Sequence, residues 1–114
     1  MTFEAKDKKR IEQANVRGGE GVIIFEPFTD NLPPHVTFIG ETTMNPGCSI
    51  APHEHHGECE IYYVLEGEAV LYDNGVERLF RVGELCICYD GCSHGWRNET
   101  DQPVRILAFM ATTA

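Results

Sequence analysis

The chain has 114 residues, 42% of them apolar, with 18 acidic side chains against nine basic ones and a formal net charge of −9. A chain of this length is expected to form one domain over 1–114, burying roughly two thirds of the surface its unfolded form exposes, enough for one core. The composition excludes a disordered tract, offers no basic face for nucleic acid, and sets an acidic surface against anionic membranes.

Residues 1–20 read as a polar lead-in. Lys6, Lys8, Lys9 and Arg10 form a short basic cluster, read as a solvated N-terminal segment. Lys6 to Ala14 has some helical character, but its apolar positions are too sparse to fix a helix. Arg17-Gly18-Gly19-Glu20-Gly21 is a flexible break. MTFEAKDKKR carries no apolar stretch of the signal-peptide kind, and no run approaches ~20 consecutive apolar residues, so the expected setting is cytoplasmic.

From Gly21 onward the chain becomes a series of short β-type runs. Gly21–Phe28 is rich in β-branched and aromatic residues and is broken by Asn31-Leu32-Pro33-Pro34. Val36–Thr42 follows, then Ser49–His55, where Pro52 suggests an edge or irregular strand. Glu60–Leu65 and Glu68–Tyr72 come next, and Asp73-Asn74-Gly75 gives a hairpin signal, because Asn-Gly supplies the positive φ angles of a type I′ turn. Val76–Val82 returns from that turn, with Val76, Phe80 and Val82 on one face. Glu84–Tyr89, His94–Asn98 and Val104–Thr112 complete the set. Strands at this spacing, with no helix between them, predict an all-β sandwich or barrel.

Cys48, Cys59, Cys86, Cys88 and Cys92 make an odd number for a disulfide framework and read as reduced thiols. Cys86-x-Cys88-x3-Cys92 is not a zinc-ribbon spacing, and buried thiols behaving as small hydrophobes are the expectation.

The histidines carry the chemistry. His53 and His55 are two apart, so a strand points both imidazoles to one face. Glu60 follows across the Gly57 turn, and His94 opens a later strand. Imidazole and carboxylate together suit borderline divalent metals. The His53/His55 pair alone fits equally well two satisfied polar residues. His56 should point away from His55, and His35 lies in a Pro-rich loop.

The wider spacing adds to this. Residues 47–67 read G-x5-H-x-H-x4-E-x6-G through Gly47, His53, His55, Glu60 and Gly67. Residues 83–98 read G-x5-Y-x-G-x2-H-x3-N through Gly83, Tyr89, Gly91, His94 and Asn98. These resemble the two motifs of the cupin family, in the form of small single-domain microbial cupins. Tyr89, where the family has proline, is the single departure. The resemblance implies a double-stranded β-helix, a jelly-roll barrel of two antiparallel sheets. It also implies one divalent transition metal ion per chain (Zn, Mn, Fe or Ni) on His53, His55, Glu60 and His94, with coordination positions left open for a ligand.

Tyr62, Cys88 and Trp96 are the candidates for contact with that ligand, and Arg78, Arg81, Arg97 and Arg105 the basic candidates for gripping an anion. Ile61 and Tyr63 should face the other side of their strand. The resemblance leads to a metal-dependent enzyme acting on a small polar organic molecule, by isomerase, decarboxylase, lyase or dioxygenase chemistry. The alternative is a non-catalytic cupin that binds a sugar or organic acid. Regulatory cupins of that second kind carry a helical DNA-binding domain, for which this chain has no room. A homodimer is expected, sharing the run Val22-Ile23-Ile24-Phe25.

Overall fold

Alternation of buried and exposed positions, the signature of half-buried strands, runs through a computed structural model that describes residues 9–113. Ten strands form: β1 (Ile11–Ala14), β2 (Val22–Pro27), β3 (Val36–Met44), β4 (Ser49–Glu54), β5 (Glu58–Glu66), β6 (Glu68–Asp73), β7 (Val76–Arg81), β8 (Leu85–Cys88), β9 (Ser93–Arg97) and β10 (Val104–Thr112). A single 3-10 turn, Val16–Gly18, lies between β1 and β2. The strands make two antiparallel sheets, ordered β1-β2-β3-β10-β5-β8 and β4-β9-β6-β7. This is the all-β architecture expected from the strand spacing, in the jelly-roll form that the motif resemblance implies.

The core lies between the sheets. Val64, Val104, Ile106 and Ala108 come from the larger sheet, and Leu71, Phe80 and Trp96 from the smaller. Each fully buried aliphatic side chain contributes about 1.5–3 kcal/mol. Asn74 and Gly75 have φ angles of 47° and 95°, which close the β6–β7 hairpin as its sequence demands. The buried Asn98 amide donates to the carbonyls of Met44 and Gln102, while the backbones of Asn98 and Cys48 pair. The end of the second motif is thereby tied to the start of the first.

The structure refines three expectations. Ile11–Ala14 is a strand, not part of a helix: paired with β2, it covers an edge that would otherwise be open. Lys6 and Lys8 lie outside the described residues, and Lys9 pairs with Asp30 at 2.8 Å. Because β2 is flanked by β1 and β3, Ile23 and Ile24 are buried within this chain, which leaves Val22 as the exposed member of the run expected to meet a second copy. On β7 only Phe80 is buried; Val76 sits at the hairpin turn and Val82 beyond the strand end, both exposed.

Candidate metal centre

The two sheets meet chemically at one end of the barrel. β4 carries His53, and His55 follows just past its end, where His55 still pairs through its backbone with Gly91 and Cys92. β9 brings His94 directly opposite His53 in the register. Glu60 comes from β5 in the other sheet. Ring centroids of the three histidines lie 4.8–4.9 Å apart. One ligand atom from each of His53, His55, Glu60 and His94 falls within 4.8 Å of the others, so this group could hold a metal ion.

Hydrogen bonds on the far side of the rings orient the donors. Nδ1 of His53 donates to the Ala51 carbonyl at 2.8 Å, and Nδ1 of His55 donates to Glu58 Oε1 at 2.8 Å. Those bonds place the protons on Nδ1 and leave Nε2 of both rings as lone-pair donors, the usual device for fixing a ligating imidazole. His94 is held instead by stacking on Tyr62, with centroids 4.8 Å apart and planes 10° from parallel. Nε2 of His55 and Nε2 of His94 face each other at 2.9 Å, with Glu60 Oε1 at 3.4 and 3.1 Å from them. An edge of roughly 3 Å is what two ligands ~2.1 Å from a shared ion subtend. Acceptors this close repel unless a proton or a cation sits among them, and the donor set therefore fits a divalent metal.

The electrostatics agree. With no ion among the donors a ring proton takes its place: although burial works against its charge, hydrogen bonds from His55 and His94 hold the Glu60 carboxyl down at about 2. Glu60, opposed by burial and helped by Glu58, raises the pKa of His55. Burial lowers that of His53, with the charges of His94 and Arg17 adding to the effect. The Tyr62 phenol is pushed well above its ordinary value by burial and then by the Glu60 charge, so it keeps its proton.

The site opens into a cavity of about 270 Å³ that His53, His55, Glu60 and Tyr62 line. Its sequence matches the family described as Cupin domain over residues 40–110, more than half of the chain. The chain belongs to the cupin family. It is 33% identical over 99 residues to a Thermotoga maritima protein named oxalate-binding protein, covering 85% of this chain and 82% of that protein. Among solved structures, a predicted oxalate decarboxylase of Thermotoga maritima superposes with a TM-score of 0.87 at 28% identity, over 98% of this chain and 99% of that one. A Thermus thermophilus protein superposes with a TM-score of 0.71 at 28% identity, over 79% and 83% of the two chains.

Within this cupin, Tyr62 lines the cavity and two other ligand-contact candidates do not. Cys88 stands opposite Glu60 in the register, but its thiol turns to the Cys92 carbonyl at 3.5 Å, and burial pushes it up to about 12. Trp96 is a core side chain, edge-on to Tyr62 at 6.0 Å. All five cysteines are unpaired. His56 is exposed and lies 3.7 Å from Glu54, and His35 meets Thr112 at 3.1 Å. Tyr89 is exposed, and the turn it opens closes through a Cys92-to-Tyr89 backbone bond without proline.

The four arginine candidates all lie in ion pairs away from the cavity: Arg78 with Asp73, Arg81 with Glu68, Arg97 with Glu77 and Glu99, and Arg105 with Glu41. The basic side chain that does line the cavity is Arg17, which the sequence reading placed in a flexible break.

Proposed function

We propose that this cupin binds one divalent transition metal ion (Zn, Mn, Fe or Ni) through His53, His55, Glu60 and His94, and with it a small oxygen-rich anion of the oxalate class. The observation that carries the reading is the convergence of imidazole nitrogens and the Glu60 carboxylate on one point that opens into a cavity. A bound ion supplies positive charge and a Lewis-acid centre for a carboxylate oxygen. The chain's own residues do the rest. His53 and His55 are pre-set with Nε2 facing inward. Tyr62 offers a protonated phenol, and the cavity has room for a small dicarboxylate. The related oxalate-binding protein supports the ligand class.

The test is calorimetric titration of oxalate into metal-loaded protein and into protein stripped by chelation. Binding near one per chain that vanishes on stripping supports the reading; no binding of oxalate or of other small di- and keto-acids by the loaded protein overturns it. Turnover is the second reading, supported by the similar structure described as a predicted oxalate decarboxylase and by Tyr62, whose hydroxyl is the one among the described residues lining the cavity. In that case hydrogen oxalate would leave as formate and carbon dioxide, both of which can be assayed. A cytoplasmic homodimer completes the proposal.

A further inference from the structure

Of the described arginines, Arg10, Arg78, Arg81, Arg97 and Arg105 each pair with a carboxylate. Arg17 has no ion pair or hydrogen-bond partner among the described residues, yet it lines the metal cavity beside His53. Among the described residues Glu60 is the only carboxylate on that lining, and Val16, Phe25, Ile50 and Met110 make most of the remaining wall. A guanidinium left unpaired in a chain with twice as many acidic as basic residues is unusual, since acidic neighbours are abundant.

The backbone holds Arg17 in place. Asn15 and Arg17 both take left-handed conformations, with φ of 53° and 55°, which non-glycine residues rarely adopt. The loop is closed by Asn15 N–H to the Gly21 carbonyl at 3.0 Å and by the Asn15 side-chain amide to the Gly19 carbonyl at 3.0 Å. It is fastened to β4 by the Ser49 amide donating to the Glu20 carbonyl at 2.8 Å and the Glu20 amide donating to Ser49 Oγ at 2.9 Å. Gly19 presses so closely on β4 that an added Cβ would lie 2.1 Å from the Ser49 carbonyl oxygen. The turn that carries Arg17 is therefore seated on the strand that carries His53.

We infer that Arg17 is the second anchor for the ligand, gripping the carboxylate of a small dicarboxylate that faces away from the metal ligands. This rests on the function proposed above and adds the residue that sets a preference for two charges over one. Guanidinium and carboxylate match as a fork, so a distal carboxylate gains paired, charge-assisted hydrogen bonds that a monocarboxylate cannot make.

The test titrates oxalate and acetate into metal-loaded wild type, Arg17→Met and Arg17→Lys, with metal per chain counted before and after each titration. Arg17→Met is expected to keep its metal and its acetate affinity while oxalate affinity falls about 10- to 100-fold. Arg17→Lys is expected to recover part of the loss, because it restores the charge without the fork. Oxalate affinity in Arg17→Met within about threefold of wild type overturns the anchor and leaves the metal reading standing. Loss of metal from Arg17→Met also overturns it, by showing a structural role. Failure of loaded wild type to bind oxalate or any other small di- or keto-acid overturns the parent reading and the anchor together.

Discussion

Glu60→Gln separates charge from shape at the metal centre. The amide keeps the size of the side chain and one oxygen donor, and removes the negative charge. A carboxyl held at about 2 rather than 4.5 prefers its charged form by about 3 kcal/mol. That figure reflects the hydrogen bonds Glu60 accepts from His55 and His94 and the charge interaction with His94. A divalent ion held by the same nitrogens brings at least as much charge to the same oxygen, so the loss on substitution should be at least as large. About 3 kcal/mol corresponds to roughly a 100-fold weaker metal affinity. Competition with a chromogenic chelator at neutral pH reads this directly, with thermal unfolding of the metal-free forms as the control for folding. The metal-free variant should unfold cooperatively. Affinity within about threefold of wild type would refute the argument, since the carboxylate charge would then contribute almost nothing. In the metal-free protein the depressed Glu60 pKa contributes stability above pH 4.5, lost as pH falls toward about 2.

Further outcomes follow from the same geometry. His94→Ala should remain folded, because the core between the sheets does not depend on the ion, but should retain less than about a tenth of the wild-type metal, as elemental analysis would show. Metal affinity should rise with pH through the range above 6.5 and fall on acidification, because the raised pKa of His55 makes the ion compete with a proton there; equal affinities at about pH 6 and pH 8 would contradict this. Homodimerisation should show as twice the chain mass by light scattering at micromolar concentration. Tyr63 and Leu85, cross-strand neighbours that are 40% and 56% exposed near the β8 edge, are the residues whose change to Glu should then weaken it.

What could be read from the sequence divides along physical lines. β2 to β10 were legible because each combines β-branched or aromatic residues with a turn signal at its end, and pairing then only confirms the pattern. β1 was not, because Ile11-Glu12-Gln13-Ala14 is short and exposed throughout and owes its form to the edge of β2. The His53, His55, Glu60 and His94 cluster was legible because period-two alternation and motif spacing constrain where those side chains point. Cys88 and Trp96 obey the same alternation but were misplaced relative to the cavity: depth along the barrel is set by packing, not by parity. Arg17 gave no signal, since a Gly-rich run looks the same whether it is loose or closed by Asn15 and fastened to Ser49. Conversely, Arg78, Arg81, Arg97 and Arg105 looked available only because a sequence does not show which carboxylates lie across the strand.

The distribution of protons in the cavity bears on whether this cupin only holds its ligand or also transforms it. Cleaving a carbon–carbon bond in a dicarboxylate leaves a carbanion that must be protonated, so a group able to give up a proton near neutral pH is needed. His55 and Glu60 face the ion, and metal binding requires His55 in its neutral form. His53, with its pKa lowered by burial, is neutral there too. Tyr62 is left, and burial beside the Glu60 charge makes its phenol a weaker acid than in water. A bound divalent ion would offset the Glu60 contribution but not the burial, because the phenol stays packed against His94 and Trp96. The chain thus supplies hydrogen bonds and charge for a dianion more readily than it supplies a proton, which in turnover would come with hydrogen oxalate itself.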